Sequence, residues 1–378
     1  MKIAVSTAEL GRRKERIDNV NSFKPNDRPA FMCFMDAFQY LNNIGMECED
    51  YMADPHIHFT AQLEFQKFVL ENFATDQFSV DPVIDLMSVK TASAFGSEVR
   101  YIKGGLPWAE HWIESERDIL ALDKLDVANN GLFLREKEFK RYAIENAEKY
   151  PVEFADGNVV YPLERLRAPS FSTEGPFSIL QMIMGMEPLF MACYDKPEFV
   201  HKLLDVITEK QILHWQSIER EFGKPAEGDM VGIADDTAAF LNADMFEEFC
   251  VPYLKRVRNT FPETNATLHF CKTVPHYVAL LMKEFPISRY LGFKPDGGIK
   301  GIYDSFKPVN DLLGNKILLY PDPDPCNIGS ATAEEVYEAV RDILRSFEGS
   351  NGVCVCFSTW EAEKSHIGMK VCEDFAAC

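Results

Sequence analysis

A strand followed by a helix, repeated at short intervals through the second half of the chain, limits the fold more than any other feature. Met230 to Ala234, Thr267 to Phe270, Ser288 to Phe293, Lys316 to Tyr320 and Val353 to Phe357 each read as a short apolar strand with a helical run after it. Alternation of this kind produces a parallel sheet, because each strand is brought back to the same end by a helical crossover. In the first half, Ala30 to Phe34, Gln77 to Val80 and Ala168 to Ser172 are strand candidates of the same kind. That makes eight strand starts, at Ala30, Gln77, Ala168, Met230, Thr267, Ser288, Lys316 and Val353. Eight, with no glycine-rich phosphate loop after the first, predict a (β/α)8 TIM barrel rather than a doubly wound sheet. The clearest helix is Pro197 to Phe222, where Phe199, Leu203, Leu204, Ile207, Trp215 and Ile218 share a face.

No linker or internal repeat divides the 378 residues, so one domain is expected. Residues 1–27 read as an N-terminal helical extension and 28–378 as the barrel. A formal net charge of −20 excludes nucleic acid, whose phosphates require a basic face, and an anionic membrane surface. No run is long enough for a transmembrane helix, and Met1-Lys2-Ile3-Ala4-Val5-Ser6 is not a signal peptide, so a cytoplasmic location is expected. The ten cysteines, from Cys33 to Cys378, are scattered without a disulfide pattern.

In a barrel, chemistry gathers where the strands end. Those ends carry Asp81 or Asp85, Asp235 and Asp236, His269 and Cys271, Lys294 and Asp296, Asp322 and Asp324, and Cys354 or Cys356. Strand-end aspartates also cap helices, which suits Asp322 and Asp324 in their proline-rich turn. Of the neighbours Asp235 and Asp236, one is expected to face the mouth. His269 and Cys271, two apart on a strand, project to the same side and offer a nitrogen and a sulfur, as a zinc site requires. The bland reading is a core thiol beside a hydrogen-bonded imidazole. Cys354 or Cys356, on the last strand, supplies a third donor if the pair belongs to a catalytic zinc, which keeps its fourth position open.

From about Asp27 onward the chain resembles the uroporphyrinogen decarboxylase superfamily, whose fold is a (β/α)8 barrel. The resemblance rests on Asp27-Arg28-Pro29, Gly175-Pro176-Phe177, the run Lys196 to Leu204, Asp235-Asp236-Thr237-Ala238, Met245 to Phe249 with Pro252-Tyr253, and Leu313 to Lys316. Within it, His269-Phe270-Cys271 resembles the His-x-Cys of the cobamide-dependent methyltransferase branch, whose zinc is completed by a cysteine near the last strand. Phe357-Ser358-Thr359-Trp360 departs from the glycine-rich loop of that branch. Counting back from Ser365-His366-Ile367 lands on Cys356, with Cys354, Asp235 and Glu248 as the other ligand candidates.

The resemblance implies a methyltransferase using Zn2+ held by His269, Cys271 and Cys356, with Asp235 or Asp236 orienting substrate. The methyl group would pass between a small-molecule donor or acceptor and a corrinoid (cobalamin-type) carried on a partner protein. A homodimer is implied as readily as a monomer. The rival readings are a lyase acting on a porphyrinogen or other carboxylate, and a barrel that binds a corrinoid or partner without turnover. The decarboxylases hold their polycarboxylate with arginines near the first strand; here neither Arg nor Lys occurs between Pro29 and Glu64.

Overall fold

The computed structural model describes residues 1–169, 171–226 and 230–376. Ser170, within the third expected strand, and Cys378 lie outside the described residues. Among the described residues seven parallel strands form the core: β1 (Ala30–Phe34), β2 (Ser172–Glu174), β3 (Met230–Ala234), β4 (Asn265–His269), β5 (Ile287–Phe293), β6 (Leu318–Pro321) and β7 (Cys354–Ser358). β2 to β6 pair in chain order, and β7 pairs with β1. A parallel bridge from Leu319 to Val353 joins the two groups. The strands thus follow one another as an arc, with all their carboxyl ends on one rim.

The strand expected from Gln77 to Val80 does not form. The chain does run beside β1 there, with Asp76 N–H donating to Phe31 O at 2.7 Å. However, the β1 amides of Phe31 and Cys33 donate to the side chains of Asp76 (2.9 Å) and Thr75 (3.1 Å). Side-chain oxygens have replaced the carbonyls that would have extended the ladder. Among the described residues no ladder links this segment to β2, so the hydrogen-bonded cylinder is not closed.

Asp76 is fully buried and also takes Arg16 at 2.6 Å and Arg28 at 2.8 Å. The Asp27-Arg28-Pro29 motif thereby clamps the entry of β1. Arg16 belongs to a helix, Thr7–Asn21, whose Ile17 and Val20 pack with Ala30, Leu318, Tyr320, Cys354 and Cys356.

Around the sheet, the expected helix Pro197–Phe222 forms with proline in its first turn and ends at Gly223, whose φ of +98° a side chain would resist. Its Leu203, Leu204, Ile207 and Trp215 are fully buried in the main core. Val99–Arg100 and Trp108–Ala109 form a small antiparallel hairpin. Among the described residues no single helix is long and apolar enough to cross a membrane; one pair, Pro176–Met184 and Met186–Asp195, passes only jointly and is bent by 113°.

Candidate metal centre

β4 ends at His269, and the chain then turns through Cys271. The turn is pinned from both sides. Tyr290 on β5 gives its hydroxyl hydrogen to Lys272 O and accepts from Val274 N–H at 3.2 Å, while Thr273 Oγ1 donates to Lys294 O at 2.6 Å. The thiol and the imidazole are therefore set by neighbouring strands rather than by a free loop.

The His269 ring is fixed in one tautomer. Nδ1 lies 2.7 Å from Leu291 O, and a carbonyl can only accept, so Nδ1 carries the hydrogen. In the neutral ring Nε2 then carries the lone pair, 3.1 Å from Cys271 Sγ and 3.3 Å from Asp236 Oδ1. A carbonyl behind the ring is the support that a metal-binding histidine ordinarily has. Room for the ring comes from Gly292, at φ +65°, where a β-carbon would stand 3.1 Å from Nδ1. Gly292 is also the residue skipped in the β5–β6 register, where Tyr320 faces Leu291 and Pro321 faces Phe293. A bulge re-aims the strand at this point.

Asp236, Cys271 and His269 are the one group among the described residues whose donor atoms all lie within 4.8 Å of one another. Asp236 Oδ1 additionally accepts the Cys271 N–H at 2.8 Å. Burial, and then the Asp236 charge, push the Cys271 thiol up to about 12. A carboxylate, a thiol and an imidazole lone pair crowded together in this way repel or stay protonated unless a cation lies between them. One nitrogen, one sulfur and one oxygen suit a borderline-soft divalent ion such as zinc. Lys294 supplies positive charge nearby. Burial alone would lower its pKa, but Cys271, Asp322, Asp324 and Asp236 together raise it.

Of the adjacent aspartates, Asp236 faces the mouth and Asp235 turns away. Asp235 is buried, and its Oδ1 accepts from Ser178 N–H at 3.0 Å and Ser178 Oγ–H at 2.7 Å, at the start of the helix Pro176–Met184. Among the described residues its other oxygen has no hydrogen-bond partner, and burial raises its pKa to about 7. Asp235 is thus a structural anchor for Gly175-Pro176-Phe177, not a group at the reacting face. Glu248 is also remote from the triad, paired with His201 at 3.2 Å. Cys354 and Cys356 lie outside the donor group, buried against Ile17, Val20 and Tyr320. Ser358, two residues beyond Cys356 on β7, is the side chain that reaches the rim, where it donates to Asp322. Asp324 caps the helix Pro325–Ser330 as expected, whereas Asp322 holds the turn and Ser358.

Sequence reasoning passed over Glu174, Gly292 and the Leu291 carbonyl. Glu174 ends β2, and burial followed by the charges of Asp236 and Asp235 raises it to about 8. An acid directly before Gly175-Pro176-Phe177 was a visible signal, as was a glycine inside the strand; a carbonyl leaves no trace in sequence.

Residues 169–356 match the model of the uroporphyrinogen decarboxylase family. The chain belongs to the uroporphyrinogen decarboxylase superfamily. Its superfamily fold is also that of a methyltransferase from Methanosarcina mazei, with 14% identity, a TM-score of 0.63, and coverage of 96% of this chain and 98% of that one. A B12-independent methionine synthase from Shewanella sp. W3-18-1 in complex with selenomethionine overlaps more loosely. Its identity is 11% and its TM-score 0.39 over 87% of this chain and 89% of that one, too low to bear on fold or site. Comparison with curated protein sequences gave no significant match. Across the matched superfamily segment run β2 to β6 and part of β7, and with them the whole triad.

Proposed function

We propose that the protein is a zinc-dependent methyltransferase moving a methyl group between a small substrate and a corrinoid carried on a partner protein. The observation that carries this reading is the locked tautomer of His269, whose free Nε2 points at Cys271 Sγ and Asp236 Oδ1. In this reading His269 and Cys271 hold the metal and Asp236 is the third donor, in the role first expected of Cys356. Zinc supplies Lewis acidity, lowering the pKa of a thiol acceptor or polarising the atom that gives up the methyl group. The chain's own residues do the rest. Leu291 O orients the imidazole, Asp236 fixes the Cys271 backbone, and Lys294 offsets the negative charge of the site. A tetrapyrrole polycarboxylate fits poorly, because the adjoining mouth presents Asp36, Asp81 and Asp85.

The deciding experiment is metal analysis of purified protein beside its His269→Ala variant, with a methyl-transfer assay using methylcobalamin and thiol acceptors. One zinc per chain, lost in the variant together with transfer, supports the reading. A chain that takes up no zinc even at saturation sinks it.

A further inference from the structure

A second feature of the same rim is a cavity of about 600 Å³ at the carboxyl ends of β1 and β7. Phe34, Phe65 and Trp360 form its aromatic walls; Asp36, Asp81 and Asp85 line it together with the neutral polar side chains of Gln62, Gln66, Gln77, Ser79 and Ser358, and among the described residues neither Lys, Arg nor His does. Three acids without a base among them give the cavity a negative field that favours a positive occupant.

The three differ in how far they are compensated. Asp81 is paired with Arg165 at 2.5 Å. Asp36 and Asp85 each accept one backbone N–H at 2.9 Å, from Phe38 and Met87. Among the described residues, the second oxygen of each accepts no hydrogen bond. Lys90 acts on Asp85 but is itself bound to Glu136 at 2.7 Å. Both line the same cavity, and desolvation, followed by the charge of Asp85, raises the Asp36 carboxyl.

Among the described residues these carboxylates do not form a donor cluster, in contrast with the triad. Aromatic faces combined with carboxylates instead suit a large, weakly hydrated cation that has no N–H to satisfy. The cavity is coupled to the triad through one side-chain contact and the charge behind it. Ser358 lines it and donates to Asp322, whose charge acts on both Cys271 and Lys294.

We propose that this cavity binds the small methylated substrate as a cation of the quaternary ammonium class. The word substrate rests on the methyl-transfer reading above; the cation site does not.

The test is titration of the full chain with choline and with 3,3-dimethylbutan-1-ol, its uncharged carbon isostere, followed by calorimetry and tryptophan fluorescence. Choline is expected to saturate, with the isostere at least about tenfold weaker, and Asp85→Asn and Trp360→Ala each weakening choline about tenfold. His269→Ala is expected to lose metal yet retain choline. Equal binding of choline and isostere, no saturation, or full affinity in both cavity variants would overturn the proposal. Trp360 is partly exposed, so its variant is informative even where Asp85→Asn fails to fold. Choline binding that survives alongside a failed zinc analysis would discard the methyl-transfer reading and leave the cation site standing.

Discussion

A β-carbon placed on Gly175 would lie 2.1 Å from Asp235 Oδ2. Gly175 has an ordinary φ of −66°, so its glycine is required by space and not by backbone conformation. The Asp235 carboxylate, just past the end of β3, occupies that space in order to reach Ser178 and fasten the helix that follows β2. Gly175→Ala should therefore displace Asp235, and the combined overpacking and lost anchor should cost roughly 3 kcal/mol. Urea denaturation of metal-free protein checks this; an unchanged midpoint would mean that the helix start does not depend on the contact.

Asp235 should also leave a mark on the pH dependence of stability. Its folded pKa of about 7 lies above the ordinary carboxylate value of 3.8. The folded chain thus holds a proton that the unfolded chain has already released, and stability falls as pH rises between those values. Below them both states are protonated and nothing is lost. In metal-free Asp235→Asn the decline between about pH 4 and pH 7 should flatten. Equal slopes for variant and parent would show that the carboxyl is not protonated in the fold.

Gly292 should matter to metal and little to folding. An alanine there meets His269 Nδ1 at 3.1 Å, so the ring must tilt away from Leu291 O. Backbone strain at positive φ adds on the order of 1 kcal/mol. Loss of ring support typically weakens metal binding about 10–100-fold. Competition with a chromogenic chelator would measure the change, and zinc affinity equal to the parent's would show that the ring needs no such seat.

How much of this was readable beforehand follows the range of each interaction. The alternation of strand and helix, and the His-x-Cys spacing, are local, and both were legible: His269 and Cys271 do lie side by side. Which of Asp235 and Asp236 faces the mouth was not legible, because it depends on the space beside Gly175, sixty residues away. The extended run after Gln77 had the composition of a strand. It fails to become one because Asp76 and Thr75 side chains take the β1 amides, a long-range substitution that periodicity does not register. Cys356 was placed correctly on the last strand, but the depth of that strand puts it below the rim that Ser358 reaches.

The clamp at Asp76 gives a prediction about folding alone. Two arginines and a β1 amide converge on one fully buried carboxylate. Asp76→Ala would take the buried acid away from Arg28 and the Phe31 N–H, while Arg16 keeps its pair with Asp27 at 2.8 Å, and should cost roughly 3 kcal/mol. Thermal melts would detect it, and a loss under 1 kcal/mol would mean that solvent reaches the arginines in the parent.

The third metal donor can be assigned by two substitutions measured together. Asp236 Oδ1 stands 3.3 Å from His269 Nε2 and also fixes the Cys271 N–H, whereas Cys356 is buried against Ile17, Val20 and Tyr320. Asp236→Ala should thus lower zinc affinity by about two orders of magnitude, since it removes a ligand and loosens another. Cys356→Ala should leave zinc content at the parental value and cost only the packing of a small buried side chain, about 1 kcal/mol. Plasma emission analysis after dialysis against dilute zinc distinguishes the cases. Retention of metal in Asp236→Ala with loss in Cys356→Ala would reverse the assignment, and would require β7 to shift toward the rim when the ion binds.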